Sequence, residues 1–243
     1  MTEMNDPLET GTEQETVLLP LFPLRMVLFP GQILPLHIFE PRYRVMINQC
    51  IAKEEPFGVV LMREETSDWR NYKEDVALPC PVGTTAHIRQ VERLPDGRLN
   101  IVTMGLHRFR VQQLLFDLPY LQGEVEAFPL ERSFDQDQVG DQMLTIRRLL
   151  SNYIDLLSKV MDAEIDLDEV PDDPRTVAYL AASALQLPSD DKQELLATPD
   201  LASLLKNECL LLSKETILLD FMQRTEDQLD ERTMGPTGYL YPN

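Results

Sequence analysis

Five prolines fall among apolar residues between Leu18 and Arg44 (LLPLFPLRMVLFPGQILPLHIFEPRYR), at Pro20, Pro23, Pro30, Pro35 and Pro41. Proline fixes its own φ and cannot donate to a sheet ladder, so half-buried strands accept it only at edges, bulges and first positions. The segment therefore reads as short strands, Val17–Phe22, Met26–Phe29 and Ile33–Phe39, turned by tight corners such as Pro30-Gly31. That is the pattern of a small closed or nearly closed β-barrel. The run ends on the charged cluster Glu40, Arg42 and Arg44. Pro41 suits the first turn of a helix, and Tyr43, Met46, Ile47, Cys50 and Ile51 follow at helical spacing to an end near Glu54.

Strand patterning then resumes. Phe57–Met62 reads as a buried strand and Arg63–Asp75 as a long polar loop. Val82–Leu94 and Arg98–Met104 flank the hairpin turn Pro95-Asp96-Gly97, and His107–Phe116 and Tyr120–Phe128 follow. Beyond Pro129 the period changes. Val139, Met143, Ile146, Leu150, Tyr153, Leu157 and Val160 alternate steps of four and three, a heptad seam on a long helix. An acidic stretch, Asp162–Asp173, interrupts it. Asp173-Pro174, Pro188-Ser189 and Thr198-Pro199-Asp200 each start a further helix, running through Leu187, over Lys192–Ala197 and to about Met222. Short links between helices imply antiparallel neighbours in a bundle. The expected class is α+β, divided into a disordered acidic leader (1–16), a barrel lobe (17–129), a helical lobe (134–222) and a flexible tail (223–243).

Charge narrows the function. The net charge of −19 divides into −5 over residues 1–16, −1 over 17–130 and −13 over 131–243. Nucleic-acid binding draws on counterion displacement by Lys and Arg, so nucleic acid is not an expected partner; only a local patch of Arg42, Arg44, Arg108 and Arg110 would favour it. No apolar run reaches a membrane span of about 18 residues, and the first residues lack a basic signal region. Three widely spaced cysteines, Cys50, Cys80 and Cys209, fit reduced thiols, not a disulfide framework. A cytoplasmic location is expected.

The opening run resembles the N-terminal substrate-binding domain of Lon proteases, which reads LPLxPLRxxVxFPG and then PLxIFEPRYR. Gly83, Ala86, Ile88, Val91 and Asp96-Gly97-Arg98 fit that family's GTxAxIxxVxxLxDGR line, and Gly105, Arg108 and Phe109 its GxxRFxV strand. In the helical half, Asp173-Pro174 through Leu187 is similar to DPxxLAxxxAxxL, and Lys192-Gln193, Leu195-Leu196, Leu204-Leu205 and Glu208 to KQxLLE…RLxxLxxLLxxE. The resemblance covers about residues 17–222. It implies a PUA-like β-barrel followed by a helical bundle, in a stand-alone form without the ATPase and peptidase modules. None of the lysines follows a glycine, so the Gly-Lys-Ser/Thr of a phosphate loop is missing. Gly235-Pro236-Thr237-Gly238 echoes the surroundings of the Lon nucleophile but holds no serine.

The expected function is thus a non-catalytic polypeptide-binding module, an adaptor or holdase in protein quality control. Its partners would be unfolded or exposed polypeptide segments and a protease or chaperone. The alternative is a small-molecule or RNA binder using the barrel, and a peptidase ranks last. No cofactor and no metal are implied. His37, His87 and His107 are far apart in sequence without ligand spacing, Cys50 reads as a packed hydrophobe, and Cys80, between two prolines, as the most exposed thiol. The alternating acids Asp162, Glu164, Asp166, Asp168 and Glu169 lack the glycine-centred spacing of a calcium loop. Trp69 and Tyr72, large aromatics in a polar loop, are the candidate substrate-binding residues, as anchors beside Arg70 and Lys73.

Overall fold

The positions of the five prolines account for the architecture. In the computed structural model, which describes residues 16–62, 79–131, 136–161 and 170–233, Pro20 and Pro23 lie in β1 (Val17–Leu24). β1 changes partner at Leu21. Residues 17–21 pair antiparallel with β6 (Leu121–Ala127), and residues 21–24 pair in parallel with β3 (Phe57–Leu61). Each proline is therefore laddered on one edge only, where its missing N–H costs no sheet hydrogen bond. Pro30 makes the corner, Pro35 sits in β2 (Ile33–Ile38), an edge strand, and Pro41 opens α1 (Pro41–Lys53).

Closure depends on one long strand. The order β2-β5-β4-β3-β1-β6 carries an additional β5–β6 pairing, so five strands close a ring and β2 extends it. β4 (Val82–Arg93) is antiparallel to both β3 and β5 (Leu99–Leu115). The patterning predicts two strands, Arg98–Met104 and His107–Phe116; they are one. Its first half pairs with β2 and its second with β6. Gly105 does not break it, because it stays laddered to Ala86 while its missing Cβ admits the Phe29 carbonyl. Met26–Phe29, predicted as a strand, is not one. Val27, Leu28 and Phe29 are buried without a ladder, and the Leu28 carbonyl instead accepts from Thr84 Oγ1 at 2.6 Å.

The helical half follows its periodicity. On α2 (Gln136–Met161), Met143, Ile146, Leu150, Tyr153 and Leu157 are buried. Asp173 caps α3 (Pro174–Ala184), accepting from the Thr176 N–H at 2.9 Å and hydroxyl at 2.7 Å. This helix stops short of Leu187: Leu185 turns extended and is fully buried, and Pro188 disfavours helix at the residue before it. α4 is Ser189–Ala197, and α5 runs from Leu201 to Thr233, past the expected end at Met222. Leucine spacing ends there, yet no Gly or Pro interrupts the helix formers until Gly235. Among the described residues no helix is long and apolar enough to cross a membrane.

The bundle does not close its own core. Val27, Phe29, Leu61, Cys80 and Val82 of the barrel share a cluster with Ile146, Leu150, Tyr153, Ala181, Leu196 and Leu204. Cys80 is accordingly buried, at 4 % exposure, and Cys209 is the more exposed thiol, which corrects the sequence expectation. Flanking prolines suggest a surface turn, but here they deliver the thiol into the seam between the two halves. Polar ties cross the same seam: Gln193 Nε2 donates to the Val82 carbonyl at 3.0 Å, and Ser189 Oγ to that of Arg25 at 3.0 Å. Proteolytic nicking in the link 129–137 is therefore expected to leave both halves co-eluting on size exclusion under native conditions. Their separation there would show that the shared core contributes little.

Candidate functional site

A groove beside the edge strand is built by the sequence Phe39-Glu40-Pro41-Arg42-Tyr43. Alternation along β2 sends Leu34 and Ile38 inward and Ile33, Pro35 and His37 outward. Phe39 is the next outward position and is 60 % exposed. The chain then turns into α1 through Glu40, extended at φ −69 and ψ 133. The Glu40 carboxylate accepts from Arg42 Nε at 2.9 Å and Nη2 at 2.8 Å. The Arg42 guanidinium lies 4.5 Å over the Tyr43 ring, which stacks on Phe22 at 4.2 Å. A salt bridge, a cation–π contact and an aromatic stack thus fix the corner that leaves Phe39 in solvent.

The groove has a volume of about 320 Å³, with Phe22 and Leu24 of β1 on one side and Leu36, Phe39 and Tyr43 on the other. Through Leu36 and His37 it joins a shallower depression of about 700 Å³ on the outer face of β2, β5 and β4. Ile33, 65 % exposed, adds to the apolar surface, and no described strand pairs with the outer edge of β2. A polar chain lies along this face. The His37 and Asn100 side chains meet at 2.7 Å, Arg98 Nη1 approaches His37 Nε2 at 3.3 Å, and Asn100 Nδ2 donates to Glu92 at 2.7 Å. Arg98 is also paired with Asp96, whose acidity is raised chiefly by the backbone N–H of Arg98. The lining sets Phe22, Leu24, Leu36 and Phe39 beside the polar side chains of His37, Glu40, Arg42, Glu92 and Asn100.

The other candidates scatter. Trp69 and Tyr72 lie outside the described residues, as does the acidic run from Asp162 to Glu169. The four arginines do not form one patch: Arg44 lies against Gly97 at the β4–β5 hairpin, whereas Arg108 is buried and bonded to α4. His87 and Cys50 line a cavity of about 350 Å³ between α1 and β4, but burial, with help from Glu55, pushes the Cys50 thiol up to about 12. Among the described residues no three His, Cys, Asp or Glu side chains gather to hold a metal. Phe39 is the residue that sequence reasoning passed over. The signal was present: an aromatic in phase with the outward positions of an edge strand, directly before a helix start.

Comparison with known proteins finds a matching family and a similar fold. Residues 18–214 match the ATP-dependent protease La (LON) substrate-binding domain. The Lon protease of Anaeromyxobacter dehalogenans is 28% identical over 226 residues, covering 92% of this chain and 26% of that protein. Lon protease 2 of Myxococcus xanthus is 28% identical over 228 residues, covering 93% and 27%. The chain thus spans about a quarter of the length of these relatives. A crystal structure of a Lon N-terminal domain protein from Xanthomonas campestris superposes with a TM-score of 0.57 at 26% identity, covering 79% of this chain and 96% of the other. The N-terminal domain of a Mycobacterium avium complex Lon protease gives 0.60 at 19% identity, covering 81% and 98%, a likeness of fold.

Proposed function

The chain belongs to the ATP-dependent protease La (LON) substrate-binding domain family, and we propose that it is a non-catalytic polypeptide-recognition module whose groove beside β2 takes extended apolar segments of unfolded chain. The observation that carries this reading is Phe39, exposed on the corner held by the Glu40–Arg42 salt bridge and lining a groove with Phe22, Leu24 and Leu36. Aromatic residues, Phe among them, are enriched in the cores of protein interfaces. In this reading the protein delivers or holds unfolded clients for a protease or chaperone in protein quality control, within the cytoplasm. Trp69 and Tyr72 are proposed as further substrate-binding residues.

A fluorescently labelled, permanently unfolded client titrated with the full chain tests the reading. Phe39→Ala is expected to weaken binding about 30-fold, the equivalent of ~2 kcal/mol for a central aromatic anchor. Folding stability should move by no more than about 0.5 kcal/mol, because the ring is largely solvated. Affinity should change little with added salt, as apolar burial dictates and phosphate recognition forbids. Wild-type affinity in Phe39→Ala, or a steep loss with salt, would remove the groove from the account.

A further inference from the structure

Where the second half of β5 meets the helices, a small cavity of about 160 Å³ is lined by His107, Arg108, Phe128, Arg175 and Tyr179 among others, none of them acidic. Arg108 is only 3 % exposed. Its Nη1 donates to the carbonyl oxygens of Leu196 and Thr198, both at 2.7 Å. The remaining donors, Nε and Nη2, are shielded from solvent and have no hydrogen-bond partner among the described residues. Those two nitrogens form one edge of the guanidinium plane, the fork that meets a carboxylate through two parallel hydrogen bonds.

The surroundings add positive charge. Arg108 lies 4.6 Å from the Phe128 ring centre and 5.9 Å from that of Tyr179, and Arg110 stacks 4.1 Å from Phe128. Arg175 stands in the wall. Burial first, then the fields of Arg110 and Arg175 against an opposing field from Tyr179, lower the pKa of Arg108. A chain with a net charge of −19 has thus placed two guanidinium groups, Arg108 and Arg175, in the wall of one cavity, with Arg110 stacked on the Phe128 ring beside them. A buried cation with an open donor edge is costly unless an anion completes it.

We propose that this cavity between barrel and bundle is a carboxylate-binding site in which the Nε and Nη2 edge of Arg108 grips the anion and Arg175 adds charge from the wall. The volume suits a carboxylate and its first carbons, and the flat faces of Phe128 and Tyr179 suit a planar group. Two sources share this chemistry, a small free carboxylic acid and the C-terminus or acidic side chain of a polypeptide. The site is separate from the β2 groove and stands independently of what that groove binds.

The test titrates the full chain with N-acetylalanine, its uncharged amide and inorganic phosphate, following the arginine Nε–H signals by NMR. Saturable binding of N-acetylalanine with a downfield shift of the Arg108 Nε–H, and none with the amide, is expected. Arg175→Gln, which leaves the Arg108 bonds to Leu196 and Thr198 in place, should weaken binding about tenfold through loss of one charged partner. Arg108→Lys keeps a charge but loses the fork and should abolish the carboxylate's advantage over phosphate; if that variant does not fold, Arg175→Gln decides alone. A short peptide with a free C-terminus binding more tightly than N-acetylalanine identifies a polypeptide source, and the reverse order a free acid. Equal response to the amide, tighter binding of phosphate to the wild type, or indifference to Arg175→Gln would overturn the assignment.

Discussion

Phe109→Ala is expected to remove about 3–5 kcal/mol of folding stability, the cost of emptying a fully buried aromatic site. Phe109 is 0 % exposed on β5 and packs with Leu19, Leu21, Val60, Leu121 and Val125 inside the closed ring of strands. Its ring fills space left by two glycines. A Cβ at Gly58 or at Gly83 would come within 2.6 Å of Phe109 Cζ, and at Gly83 within 2.5 Å of the Val59 carbonyl oxygen as well. Collapse into the hole is hindered, because the facing backbone is held in the β3–β4 ladder. Domains of this kind total about 5–15 kcal/mol, so the variant should unfold near physiological temperature. Gly83→Ala attacks the same contact from the other side and should cost about 1–3 kcal/mol through overpacking. Urea unfolding at constant slope measures both. Losses below about 1 kcal/mol for Phe109→Ala would mean the barrel interior repacks freely, against the density expected of a protein core.

Glu208→Leu should act in the opposite direction and stabilise the protein by about 1–3 kcal/mol at neutral pH, the cost of an orphaned buried polar group. Glu208 is 0 % exposed on α5, and neither carboxylate oxygen has a hydrogen-bond partner among the described residues. Burial raises its pKa well above the ordinary carboxylate value. The folded state therefore holds this proton more tightly than the unfolded chain, where glutamate titrates near pH 4.3 or so. The stability tied to the proton is complete below that unfolded value and is lost as pH rises through the folded one. Chemical unfolding from pH 4 to pH 9 should show a decline in the wild type that both Glu208→Leu and Glu208→Gln abolish. Only Glu208→Leu should also gain at pH 4, because glutamine keeps an unpartnered polar group. A variant less stable than wild type at pH 8 would show that the carboxylate has a partner in solution.

Much of the fold was legible because its determinants are local. All five early prolines stand at an edge, a corner or a helix start, and the heptad seam from Val139 to Leu157 became the inner face of α2. Two of the misreadings share a cause. Gly105 reads as a break only without knowledge that the Phe29 carbonyl packs against it, and Cys80 reads as exposed only without the helices that cover it. Of the candidate site, Phe39 was written in the strand alternation but overshadowed by the larger aromatics Trp69 and Tyr72.

Dihedral preference, hydrophobic period and capping chemistry act within a few residues. The sequence by itself therefore determined most of the elements, their order, the family resemblance and the absence of a phosphate-loop lysine. Closure of the ring through β5–β6, the shared core of barrel and bundle, and the reach of Arg108 to Leu196, 88 residues away, were decided only by tertiary structure. Such contacts depend on which distant surfaces meet once the chain has collapsed. The open guanidinium edge is a property of that meeting: it takes a strand to aim Arg108 and two helix-end carbonyls to occupy half of it, and no pattern along the chain records the half left over.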